Sequence, residues 1–138
     1  MNTYETIIKS EQIKKQIQKY KTLHKLSKEL LSNDNNKYKQ FIVEREIERY
    51  IKENDITDIT TIKVSDIEFI LELQTIKNMF KNIDSYDPAN SPQKIKQKLN
   101  RLDKLIEFYE EIEERLEVEC LIKHSTFKNK YLKKFLIN

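Results

Sequence analysis

VSDIEFILELQTIKNMFKNI, from Val64 to Ile83, decides how this chain folds. Phe69, Leu73, Ile76, Phe80 and Ile83 step by four, three, four and three. On a helix that spacing puts all five on one seam, facing a partner helix. The start is marked too. Ser65 and Glu68 have the spacing of a capping box, and Val64 and Phe69 sit where a hydrophobic staple would clasp the same end.

Toward the C-terminus, Asp84 to Asn90 reads as a loop. Ser91 then serves as an N-cap, with Pro92 at the first helical position. The helix that follows carries Ile95, Leu99, Leu102, Ile106, Tyr109, Glu113, Leu116 and Cys120 on a heptad spacing, broken only by Glu113. Leu105, Phe108 and Ile112 widen its stripe. That seam runs for about seven turns at roughly 3.6 residues per turn; it is expected to pack within its own bundle, the alternative being that part of it pairs with another chain. A bend near His124 to Thr126 is expected to set off a last short helix, Phe127 to Ile137.

Toward the N-terminus, Asn54 to Val64 is rich in Ile and Thr but has no partner strand, so it reads as an ordered connector with one short helical turn. Lys37 to Glu53 forms a helix with Val43, Ile47, Tyr50 and Ile51 inward. The cluster Ser32-Asn33-Asp34-Asn35-Asn36 is a stop and turn. The first helix runs from Thr3 to Leu31, with Ile13, Ile17, Tyr20, Leu23, Leu26 and Leu30 three or four apart. The expected fold class is therefore all-α. One domain over 1–138 forms an antiparallel bundle of about four long helices plus a short C-terminal helix, and 122–138 is a semi-independent basic amphipathic tail.

Composition supports this and removes most chemistry. Of 138 residues, 38% are hydrophobic and 36% charged, which suits helices with one apolar stripe and a charged outer face. Glycine is absent, so there is no phosphate-cradling loop, dinucleotide fingerprint or Gly-flanked serine elbow. A di-metal carboxylate bundle needs Glu-x-x-His on two helices. Here Lys21 and Leu121 stand three before the two histidines, His24 and His124. Cys120, His124 and Glu117 would give zinc three ligands, and no second Cys or His cluster completes the set. His24 reads as a hydrogen-bonded histidine on the apolar side of the first helix. No catalytic, cofactor-binding or metal residue is assigned, and neither a cofactor nor a small-molecule substrate is expected. A single cysteine forms no internal disulfide, no apolar run has the length of a membrane span, and Met1 to Ser10 lacks the layout of a signal peptide. An intracellular location, cytoplasmic or nuclear, is expected.

Charge is segregated along the chain. Asp103 to Glu119 holds eight acids against Lys104 and Arg115, a net of −6. Leu121 to Asn138 holds five lysines and no acid, and the first 32 residues have a net charge of +4. Either the acidic helix lies beside the basic first helix or tail, the charges offsetting, or the basic faces meet an acidic partner. In the tail, Phe127, Tyr131 and Phe135 step by four, with lysines on the remaining face. Such a helix closes its own bundle, fills a partner's groove or lies along nucleic acid. The candidate partner-binding residues are Lys14, Lys15, Lys21 and Lys25 on the first helix, and Lys128, Lys130, Tyr131, Lys133, Lys134 and Phe135 in the tail.

The stretch Ile59-Thr60 to Leu73, followed by Ser91-Pro92 and Lys98-Leu99-Asn100-Arg101-Leu102, resembles the helical core-binding domain of tyrosine recombinases, which has a similar helix start and a later Ser-Pro helix. The likeness covers under half the chain, rests on capping residues and leucines, and transfers no functional residue.

The expected function is a non-catalytic helical protein–protein interaction module, with another protein or a second copy of itself as partner, alone or as a subunit of a larger complex. The alternative is nucleic-acid binding through the Lys-rich faces of the first helix and the tail. A membrane surface is not expected as partner. Solvent exposure separates the two readings. An apolar surface patch rimmed by charge favours a protein, and a continuous lysine stripe without acids favours nucleic acid.

Overall fold

A computed structural model gives four α-helices: α1 (Thr3–Glu29), α2 (Gln40–Glu53), α3 (Val64–Lys81) and α4 (Pro92–Leu136). A single 3-10 turn, Lys37–Lys39, leads into α2. The structure describes residues 3–32, 34, 36–84 and 91–136, with the backbone alone for residues 3 and 120–136. Every regular element among the described residues is helical. Most of the expected loop at Asp84 to Asn90 lies outside them.

The helix ends are closed by local backbone and side-chain hydrogen bonds. At the end of α1, Leu30, Leu31 and Ser32 donate to the carbonyls three residues back, tightening the last turn. Asn36 then accepts from the Tyr38 N–H at 3.0 Å and opens the 3-10 turn. At α4, the Lys94 N–H reaches Ser91 Oγ at 3.3 Å, the expected cap before Pro92. The connector holds a turn at Asp58, whose carboxylate accepts from the Thr60 N–H at 3.0 Å and the Thr60 hydroxyl at 2.8 Å. Those bonds hold the Asp58 carboxyl below its usual range.

Helix α2 ends without the glycine that such ends favour. Asp55 takes φ 51°, the left-handed region. The Ile56 N–H bonds to the Ile51 carbonyl at 3.0 Å, and the Asp55 N–H to Lys52 at 3.3 Å. These two bonds make a Schellman motif, with Asp55 at the position where glycine is usual.

The start of α3 differs from the expected capping box. Helix begins at Val64, its N-cap Lys63 has no side-chain hydrogen bond, and the Ser65 side chain stays exposed within the first turn. The staple is absent as well, since Val64 is 69% exposed while Phe69 is buried. A contact distant in sequence anchors this end instead. The Tyr50 hydroxyl donates to Asp66. The Tyr50 ring stands edge-on to Phe69, centroids 4.7 Å apart. Burial, and then Asp66, push the Tyr50 phenol above its ordinary range. Starting at Val64 also puts the Asp66 carboxylate in the first turn, where the helix dipole favours it.

The chain forms two compact units. The first comprises residues 1–20 and 104–138, the second 21–103, and α1 and α4 contribute to both. In the first unit α1 and α4 run antiparallel: Lys14 meets Glu117 at 3.7 Å, and the Tyr20 and Tyr109 rings lie 5.6 Å apart. Ile13, Ile17 and Leu116 are its buried cluster, with Tyr109 and Ile112 packed on it. Thr6 and Ser10 extend the buried side of α1 toward its start. In the second unit α2 and α3 run antiparallel, Tyr50 meeting Phe69 at one end and Glu44 meeting Lys77 at 3.7 Å at the other.

Leu73, Ile76 and Phe80 are buried to 1% exposure or less, with Leu23, Val43, Ile95 and Leu102 also enclosed. Each such side chain contributes about 1.5–3 kcal/mol by leaving water. Three details of α4 differ from expectation. Leu99 and Ile106 are half-buried rather than enclosed, and Phe108 is 55% exposed. Helical backbone continues through His124 to Thr126, so the last segment is the end of α4 and not a separate helix.

Candidate protein-docking face

The lysines expected to bind a partner divide into two groups. Lys14, Lys15, Lys21 and Lys25 are exposed on α1. Lys14 spends its charge on Glu117, within the first unit. In the second unit His24 is half-buried and its Nε2 lies 2.9 Å from Asp103 Oδ1. Acids of α4 thus lie beside basic groups of α1, offsetting them in part. Lys128, Lys130, Tyr131, Lys133, Lys134 and Phe135 stand on helical backbone of α4, and their side chains lie outside the described residues, as do those of Cys120 and His124.

A different face carries exposed apolar surface, and the sequence reading did not single it out. Lys39 is drawn inward. Its ammonium lies 2.7 Å from Glu29 and 3.4 Å from Asp34, and its side chain is only 14% exposed. The bond that Lys39 donates to Glu29 raises the Lys39 pKa, and Ser32 and then Lys39 lower that of Asp34. With Lys39 pinned, its neighbour Tyr38 points outward and is 66% exposed. Phe41 and Ile42, three and four residues on, are 50% and 53% exposed. These three side chains expose roughly 300 Å², since an aromatic side chain carries about 150–250 Å², which is comparable to the largest apolar patch on a typical monomer.

Charge rims the patch. Lys37 Nζ stands 5.5 Å from the centroid of the Tyr38 ring. Arg45 and Lys52 continue the same outer face of α2, opposite buried Val43. Neither pairs with an acid among the described residues, whereas Arg49 is engaged by Glu46 and by Glu53 at 4.0 Å. Glu46 raises the Arg49 pKa further. The missed signal was the spacing of Tyr38, Phe41 and Ile42, a second apolar stripe on a helix whose inward stripe was already assigned. Tyr4, Ile7 and Ile8 on α1, and Val64, Ile67 and Leu71 on α3, are exposed at helical spacings too. Among the described residues no three His, Cys, Asp or Glu side chains converge as metal ligands, and no helix is long and apolar enough to cross a membrane.

Compared with models of known protein families, with curated proteins and with solved structures, the chain matches none. No family is assigned. The likeness to the tyrosine-recombinase domain also loses its first helix start, because Ser65 does not cap α3.

Proposed function

We propose that this chain is a non-catalytic protein-interaction module built as an antiparallel helical bundle and working inside the cell. It docks another protein through Tyr38, Phe41 and Ile42. One observation supports this reading above the rest: an apolar patch stands on the solvent side of α2, rimmed by Lys37 and Arg45, while the opposite side of the same helix fills the core. Burying it on a partner removes apolar surface from water without disturbing the fold. Nucleic-acid binding through the α1 lysines has less support, because Lys14 already faces Glu117 and phosphate would meet the acids of α4.

The test places a photo-crosslinking phenylalanine analogue at Phe41 and irradiates living cells. Adducts to protein are expected. Adducts to nucleic acid alone, or no adducts, would overturn the reading.

A further inference from the structure

The outer faces of α2 and α4 complement each other at three exposed positions each. Along α2 the outer face begins apolar, at Phe41 and Ile42, and becomes cationic at Arg45 and Lys52. Along α4 the outer face begins acidic, at Glu107 and Glu114, and becomes apolar at Val118, which is 50% exposed. Glu107 and Glu114 are exposed and pair with no base among the described residues. The α2 face lies in the second unit and the α4 face in the first.

Laid antiparallel, the two faces match in a single register. Phe41 falls opposite Val118, Arg45 opposite Glu114 and Lys52 opposite Glu107. On the flanks, Glu53 falls opposite Ile106 with Lys104 two residues away, and Arg115 lies two residues from the position opposite Glu46. Glu48 opposite Glu111 and Glu46 opposite Glu113 are like-charged pairs that oppose this register. Phe41, Arg45 and Lys52 on one face, and Glu107, Glu114 and Val118 on the other, are exposed, and each face supplies what the other lacks.

We propose that the occupant of the α2 face is a second copy of this chain, which lays the outer face of its α4 across Phe41, Arg45 and Lys52. This rests on the protein-interaction reading and specifies its partner. The apolar contact supplies attraction, and the charge pairs fix direction and register.

Sedimentation velocity across the micromolar range tests it. The wild-type chain associates with rising concentration, and added salt weakens the association. Reversing one side, with Arg45→Glu and Lys52→Glu, should raise the dissociation constant at least tenfold, a loss of about 1.4 kcal/mol. Reversing the other side, with Glu107→Lys and Glu114→Lys, should do the same. One chain carrying all four changes keeps the wild-type net charge, and its association should return to within about threefold of the wild type. All four positions are exposed, and circular dichroism checks that each variant remains helical. A strict monomer overturns the proposal. So does a fourfold variant that stays dissociated, or loss of association on Leu71→Asp with none on charge reversal. A strict monomer that still forms Phe41 photo-adducts to a different protein removes the second copy and leaves the interaction reading standing. A monomer with no adducts removes both.

Discussion

Replacing Asp55 by glycine should stabilise this chain. Asp55 is the C′ residue of the motif that ends α2, at φ 51°, and it is the one described residue with positive φ. A side chain with a Cβ costs about 1–2 kcal/mol in the left-handed region, toward the lower end for Asp, whose short polar side chain tolerates it. Glycine removes that cost but makes the unfolded chain freer, which gives back about 0.4–1 kcal/mol. The net expectation is a gain of roughly 0.5 kcal/mol. Both backbone bonds, from Ile56 and from Asp55, survive because they use main-chain atoms. Urea unfolding followed by circular dichroism measures the change as a shift in midpoint at constant slope. Asp55→Ala serves as the control. It keeps a Cβ at the same φ and loses the tolerance of Asp, so the stability order should be Gly, Asp, Ala. If glycine proves no better than alanine, the end of α2 does not hold this geometry in solution and the reasoning fails.

Three further changes probe the packing. Phe80→Ala should cost about 3–5 kcal/mol, since the ring is 1% exposed, and a loss under about 1 kcal/mol would mean that the α3 seam is open. Ser27→Ala should stabilise by about 1 kcal/mol in thermal unfolding, because Ser27 is fully buried and its Oγ has no hydrogen-bond partner among the described residues; a destabilised variant would reveal a partner. Tyr50→Phe should cost about 1 kcal/mol at neutral pH by removing the bond to Asp66. The Tyr50 phenol is raised above its ordinary value of 10.0, so the folded state holds its proton more tightly than the unfolded state. Its contribution is complete below pH 10 and lost as pH rises above it, so the difference between wild type and Tyr50→Phe should shrink there. A difference that stays constant from pH 8 to 11 would show that the hydroxyl does not bond Asp66.

The interior of this fold could be read from the sequence wherever one local rule decided the outcome. The seam from Phe69 to Phe80 is buried as its spacing implies, and Ser91 caps α4 because proline at the next position needs no N–H partner. Reading failed where a residue distant in sequence decided instead. Ser65 and Glu68 satisfy the local pattern of a capping box, yet Tyr50, sixteen residues before Asp66, holds the helix to an earlier start. Thr6 and Ser10 are buried although periodicity of apolar residues cannot mark a polar side chain as interior.

The exposed apolar face of α2 was missed for a related reason. Phe41 and Ile42 are as apolar as Val43, and composition alone makes all three candidates for the core. Which of them turns outward depends on how the helix is rolled. The inward pull of Lys39 toward Glu29 helps to fix that roll, together with the packing of Tyr50 on Phe69 at the other end. Residues that fill a core are constrained by folding and leave a period in the sequence. Residues on the outer face of α2 contribute little to this chain's own core, so folding leaves their identity open. Under the dimer proposal, the surface that covers them is the α4 face of a second copy, with exposed Val118 and with Glu107 and Glu114, which pair with no base among the described residues.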